Sequence, residues 1–209
     1  FSCEKKSVNN EDELVMFGCT DSLAINYNIN ANKSDNSCEY AGCTNSESVN
    51  FDNNATVDDG NCIAEEDVPH GYHLFWNDEF NQSSLDTSHW NMEVLWPGAF
   101  NNESQSYTNN QDNIFLQNGL LYIRAMKEIP FNPSQPAYTS GRINTKDKVE
   151  LQYGLWQIRA KLPSGVGTWP AIWMLNSNID SEGWPFCGEI DIMEHVGYDP
   201  DRVFFSIHN

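Results

Sequence analysis

Glu189, Asp191 and Glu194 place three carboxylates within six residues, in the run GEIDIME, with only Ile and Met between them. On a β-strand successive side chains alternate faces, so Glu189 and Asp191 share one face and Ile190 and Ile192 take the other. Unbroken alternation would turn Glu194 away from its neighbours. One extra residue in a β-bulge, most simply at Met193, returns it to the common face. Acids gathered in this way suit hydrolysis of a glycosidic bond with retention, which needs a nucleophile and an acid/base about 5–5.5 Å apart. With the bulge discounted, the two glutamates are separated by roughly 13 Å between Cα atoms. The strand must therefore bend inward and line a concave cleft. Asp191, between them, would raise a neighbour's pKa by like charge and share a proton with it. Solvated decoration and an oxygen-ligand set for a metal are the competing readings. A solvated strand normally interposes Thr, Lys or Ser, and the intervening positions here are apolar.

Further candidates surround the acids. In GTWPAIWML a strand would put Trp169, Ala171 and Trp173 on one face, offering two indole surfaces to sugar rings. Both tryptophans suit a protein core equally well. Arg142 and the group Asn101, Asn102 and Glu103 are polar positions able to bond hydroxyls; taken singly, each also reads as a surface or turn residue.

Composition bounds the rest. The chain has 209 residues, 11 basic and 30 acidic, for a formal charge of -19. That balance argues against a nucleic-acid partner and for a neutral one. No stretch approaches the roughly 20 apolar residues of a membrane span. Both ends read as cut, at Phe1 and at Asn209 directly after VFFSI. Residues 1–17 are polar and aperiodic, a tether in which Cys3 reads either as the acylated cysteine of a lipoprotein or as an unpaired cysteine in a disordered arm.

Residues 18–63 hold two copies of a 24-residue repeat, aligning Cys19 with Cys43, Asn26 with Asn50, Asp35 with Asp59 and Cys38 with Cys62. Four cysteines allow three connectivities; the repeat symmetry favours Cys19–Cys38 and Cys43–Cys62. Units this short bury little, so cross-links replace a core, and cross-links require an oxidising compartment. The alternating Asn and Asp residues (Asn26, Asn28, Asn30; Asn50, Asp52, Asn54) suit either calcium ligation or, more simply, polar turns. After a linker at 64–70, residues 71–209 change to apolar or alternating runs, HLFWNDEF, GLLYIRAMK, LQYGLWQIRAKL, AIWML, EIDIME and VFFSI, separated by turn formers. Short strands without helical spacing predict antiparallel sheets packed as a sandwich.

From about Gly71 onward the chain resembles glycoside hydrolase family 16, above all its laminarinase members. The matching runs are FWNDEF, NNESQSYT, NGLLYIRA, YTSGRINT, YGLWQIRAKLPSGVGTWPAIWML and WPFCGEIDIMEHVG. The resemblance implies an all-β, concanavalin-like jelly-roll sandwich and a retaining endo-β-1,3-glucanase. It puts the nucleophile on Glu189, the middle acid on Asp191 and the acid/base on Glu194. It also implies sugar contacts from Trp169, Trp173, Asn102 and Arg142. No cofactor enters the chemistry, and a structural calcium falls near Glu79 and Gly119. Mixed β-1,3/1,4-glucan, agar, porphyran or carrageenan substrates and non-catalytic β-glucan binding are the alternatives. The negative charge disfavours the sulfated galactans. Gln157 departs from the family, standing where an acid is common. The family domain continues past Asn209, so the resemblance implies an incomplete sandwich and weak activity for these residues alone. The repeats resemble tandem cysteine-paired repeats of bacterial surface proteins. The expectation is therefore a monomer, extracellular or on the cell surface, touching a membrane only through a lipid on Cys3. Cys187 reads as a buried thiol beside the cleft.

Overall fold

The computed structural model describes residues 14–129 and 137–209; Cys3 lies outside them. The chain divides into two compact units, 1–144 and 145–209. Apart from a four-residue helix, α1 (Ile179–Glu182), and a 3-10 turn at Glu65–Asp67, the described regular structure is all β.

In the first unit each repeat folds alike. Strand β1 (Phe17–Gly18) pairs in parallel with β2 (Lys33–Ser34), and β3 (Ala41–Gly42) with β4 (Val57–Asp58). The cystines are Cys19–Cys38 and Cys43–Cys62, as the repeat symmetry favours. The Asn and Asp side chains close turns on the repeats' own backbone. Asn26 Nδ2 donates to the Ser37 carbonyl (2.5 Å) and its Oδ1 accepts from the Glu39 N–H (2.9 Å); Asn50 does the same with Asn61 and Ile63. Asn28 and Asp52 accept from the N–H two residues ahead. The bonds of Asn28 and Asp52 are Asx turns, the polar-turn use of such side chains.

The remainder of the first unit is a set of small sheets. Strands β6 (Gln105–Tyr107), β10 (Ala137–Ser140) and β9 (Met126–Glu128) form one sheet. Two pairs complete it: β7 (Ile114–Leu116) with β8 (Leu121–Ile123), and β5 (Asn91–Met92) with β11 (Ile143–Asn144). Asn113, 1% exposed, ties three segments together by bonding Thr108, Thr139 and the Arg124 carbonyl. A buried amide satisfied on both ends fixes its neighbours, where an unsatisfied one would cost about 1–3 kcal/mol in lost hydration.

The second unit is built on an antiparallel sheet, β12 (Ala171–Leu175), β13 (Glu189–Glu194) and β14 (Phe204–His208), with β13 central. Two expected strands do not form. HLFWNDEF and LQYGLWQIRAKL carry no strand, and Tyr153 and Ile158 stand 86% and 51% exposed. Alternation states where side chains would point on a strand; forming one also takes a partner for its N–H and C=O groups and a cover for its apolar face.

Candidate active site

Strand β13 starts from a tight turn. Gly188, at φ +82°, ends a loop in which the Gly188 N–H bonds the Pro185 carbonyl and the Cys187 N–H bonds Gly183. Cys187 is buried here as a free thiol. Against β14 the register runs Glu189–His208, Ile190–Ile207, Asp191–Ser206 and then Glu194–Phe204. Between the last two pairs β13 advances three residues and β14 only two, which is the expected bulge. Its position differs by one residue from the simplest placement. Met193 still pairs with Ile172 of β12, and Ile192 is the residue skipped between Met193–Ile172 and Asp191–Trp173.

All three acids share a face. Asp191 Oδ2 lies 3.1 Å from His208 Nε2, and the Ser206 hydroxyl donates to Glu194 Oε2 at 3.1 Å. Ser206 and His208 are two apart on β14 and so point the same way. Glu189, two before Asp191, faces with it. Both glutamates also accept from an indole N–H, Glu189 from Trp184 (2.6 Å) and Glu194 from Trp169 (3.0 Å). The Trp184 ring sits 5.8 Å from that of His208, closing a group of Glu189, Trp184, His208 and Asp191.

Asp191 is 5% exposed, while Glu189 and Glu194 remain half-buried. Burial, the largest cause, pushes the Glu189 carboxyl above its ordinary range. The Trp184 hydrogen bond opposes it, the Asp191 charge and hydrogen bond reinforce it, and His208 opposes it weakly.

The segment carrying Trp169 is laced to the end of β13. His195 N–H donates to the Pro170 carbonyl (3.1 Å) and Gly197 N–H to Thr168 (2.9 Å). A side chain at Gly197 would run into the Gly165 carbonyl and the Thr168 hydroxyl, so this approach requires glycine. Trp169 precedes β12 and is half exposed; Trp173 lies on β12 directly opposite Asp191. The sequence pointed to both tryptophans as sugar platforms, and the structure puts the indole nitrogen of the first on an acid.

The other named residues belong to the first unit. Asn101 and Asn102 adopt left-handed conformations, φ +48° and +55°, in a turn closed by Gly98 N–H donating to the Glu103 carbonyl (2.7 Å). Asn102 is exposed there. Arg142 pairs with Glu93 and lies over the Phe100 ring, 4.7 Å from its centroid. Gly119 is at φ +66°, and a Cβ there would stand 2.7 Å from Asn81 Oδ1 and 3.9 Å from the Glu79 carbonyl oxygen. Both are oxygen donors of the kind calcium takes, though no group of three His, Cys, Asp or Glu side chains placed to hold a metal occurs among the described residues. Trp184, Ser206 and His208 were missed from sequence. The signal available was the alternation in FFSIH, which sets Ser206 and His208 on one face of an otherwise apolar strand.

Residues 101–209 match the family Glycosyl hydrolases family 16. The chain belongs to that family. It is 46% identical over 151 residues to the glucan endo-1,3-beta-glucosidase A1 of Niallia circulans, covering 66% of this chain and 22% of that protein. To the beta-glucanase of Rhodothermus marinus it is 46% identical over 145 residues, 68% of this chain and 49% of the other. The catalytic domain of the endo-1,3-beta-glucanase (laminarinase) from Thermotoga petrophila RKU-1 superposes with a TM-score of 0.58 at 43% identity, covering 66% of this chain and 56% of that one. The fold is thus that of the family 16 jelly-roll, and the chain spans about half or less of the length of these curated relatives.

Proposed function

We propose that the protein hydrolyses internal β-1,3-glucosidic bonds, or mixed β-1,3/1,4 bonds, by a retaining double displacement. The carrying observation is one bulged strand that presents Glu189, Asp191 and Glu194 on a single face, each glutamate held by an indole N–H. Glu189 attacks the anomeric carbon as the glycosidic C–O bond breaks, and Glu194 gives its proton to the departing oxygen. Glu194 then takes a proton from water, whose oxygen displaces Glu189 and regenerates both groups. Attack requires Glu189 ionised, although its burial favours the protonated form. The Trp184 N–H, which donates to Glu189 Oε2, stabilises the anion that attacks. None of these steps passes through a metal; the oxygens near Gly119 would hold a calcium ion for stability alone.

Identity to glucan hydrolases supports a β-glucan substrate, and the negative charge disfavours sulfated galactans. Two cystines support a location outside the reducing cytoplasm, anchored or free. In the full-length protein Glu189→Gln is expected to abolish turnover of laminarin while laminarin binding persists; turnover at the wild-type rate would refute the assignment.

A further inference from the structure

We propose that the two cystine repeats are seated on the family 16 region as a fixed brace, through residues 81–84, instead of serving as a flexible spacer. The proposal is independent of what the acids hydrolyse. The hydroxyls of Ser83 and Ser84 both donate to the carbonyl of Ser22, the latter at 3.0 Å. Asn81 Nδ2 donates to Asp59 Oδ2 at 2.5 Å, a bond strengthened by the carboxylate charge.

These two anchors come from different repeats and from unequal positions within them. Ser22 belongs to the first copy, where its counterpart in the second is Ser46; Asp59 belongs to the second, where its counterpart in the first is Asp35. In the structure neither repeat makes both contacts. The pair must be held in one mutual orientation, and Tyr40, between the copies, holds it. Its hydroxyl bonds Asp21 Oδ2 and its N–H bonds Thr56 Oγ1, both at 2.8 Å. Asp59 Oδ1 meanwhile accepts from Asn61, which aims Oδ2 outward to Asn81.

The receiving segment is equally fixed. Asp78 accepts from the Phe80 N–H (2.9 Å) and from the Trp90 indole (2.7 Å), and the Phe80 and Trp90 rings stand 6.0 Å apart. Phe80 is held at φ +54°, a conformation costly for a bulky residue and maintained only where its surroundings demand it. That reversal turns Asn81, Ser83 and Ser84 toward the repeats. The linker is pinned at its start as well, since Ile63 bonds both Asn50 and Val49.

Asp59→Asn combined with Ser83→Ala and Ser84→Ala in the full-length protein tests this. Limited digestion with a glutamate-specific protease is read by mass at Glu65 and Glu66. Cleavage there follows the population of the open linker, so roughly a tenfold faster cut is expected in the variant with both cystines intact; less than a threefold increase overturns the proposal. Should the variant fail to fold, NMR relaxation of the wild type decides. Repeats and residues 71–129 tumbling with one correlation time support the brace, and separate tumbling overturns it.

Discussion

The repeats at 18–63 bury no large apolar side chain; Cys19, Ala24 and Cys43 are their buried residues, yet the turns are closed by cystines and Asx bonds. The sheet of β12, β13 and β14 is the reverse. Its polar face is knitted together around the acids, while Ile190, Phe205 and Ile207 on the other face stand 48%, 75% and 75% exposed. A cross-linked turn is stable on local grounds, because the covalent bond removes entropy from the unfolded chain. A sheet with an apolar face gains most of its stability from whatever covers that face. The difference explains how a small region can repeat in tandem, whereas the sheet that carries the acids depends on whatever covers its apolar face.

Perturbing each region by its own mechanism sharpens the contrast. The largest effect is expected at the site. Glu194→Gln should lower kcat by about 10²–10⁴, the usual worth of a positioned acid/base, with the thermal unfolding of the repeats unchanged. Substrates with good leaving groups should recover much of the loss in the first step, and failure to recover would take the acid role away from Glu194. Next comes the repeat region. Cys43→Ser with Cys62→Ser should cost the second repeat roughly 3 kcal/mol, from the closed-loop entropy of a bridge of this length. Hydrogen exchange should register that loss within 42–63 while kcat stays at the wild-type value; a fall in kcat would break the separation drawn here.

The smallest effects concern acidity. Because Glu189 must lose its proton to attack, the acid limb of the kcat/KM profile should lie above the ordinary carboxylate range. Asp191→Asn removes a charge that raises it and should move the limb down, though not to the ordinary value, because burial remains. Trp184→Phe removes an opposing hydrogen bond and should move the limb up. Limbs shifting in the same direction in both variants would contradict the assigned causes. The linked stability has a definite sign. A carboxyl whose folded pKa is raised binds its proton more tightly in the native state. Its contribution is thus present at low pH and lost as pH rises from the ordinary value through the raised one.

Much of the site was legible because two short-range rules act on contiguous residues. Alternation put Glu189 and Asp191 together, and the miscount at Glu194 demanded a bulge. Trp184 escaped notice because the turn at 183–188 folds it back over the strand it precedes. Ser206 and His208 escaped because cross-strand register decides their neighbours. LQYGLWQIRAKL misled for the opposite reason, its alternation being real while no described strand pairs with it.

The amino-acid order alone determined the carboxylate trio, the repeat and its favoured cystine symmetry, since each depends on spacing along one backbone. Tertiary structure decided which donors hold each carboxylate, on which residue the bulge falls, and that Asp191 is buried beside His208. Those outcomes depend on which segments meet across the sheet, and hydrogen bonds between residues distant in sequence set acidity and orientation that no local pattern encodes.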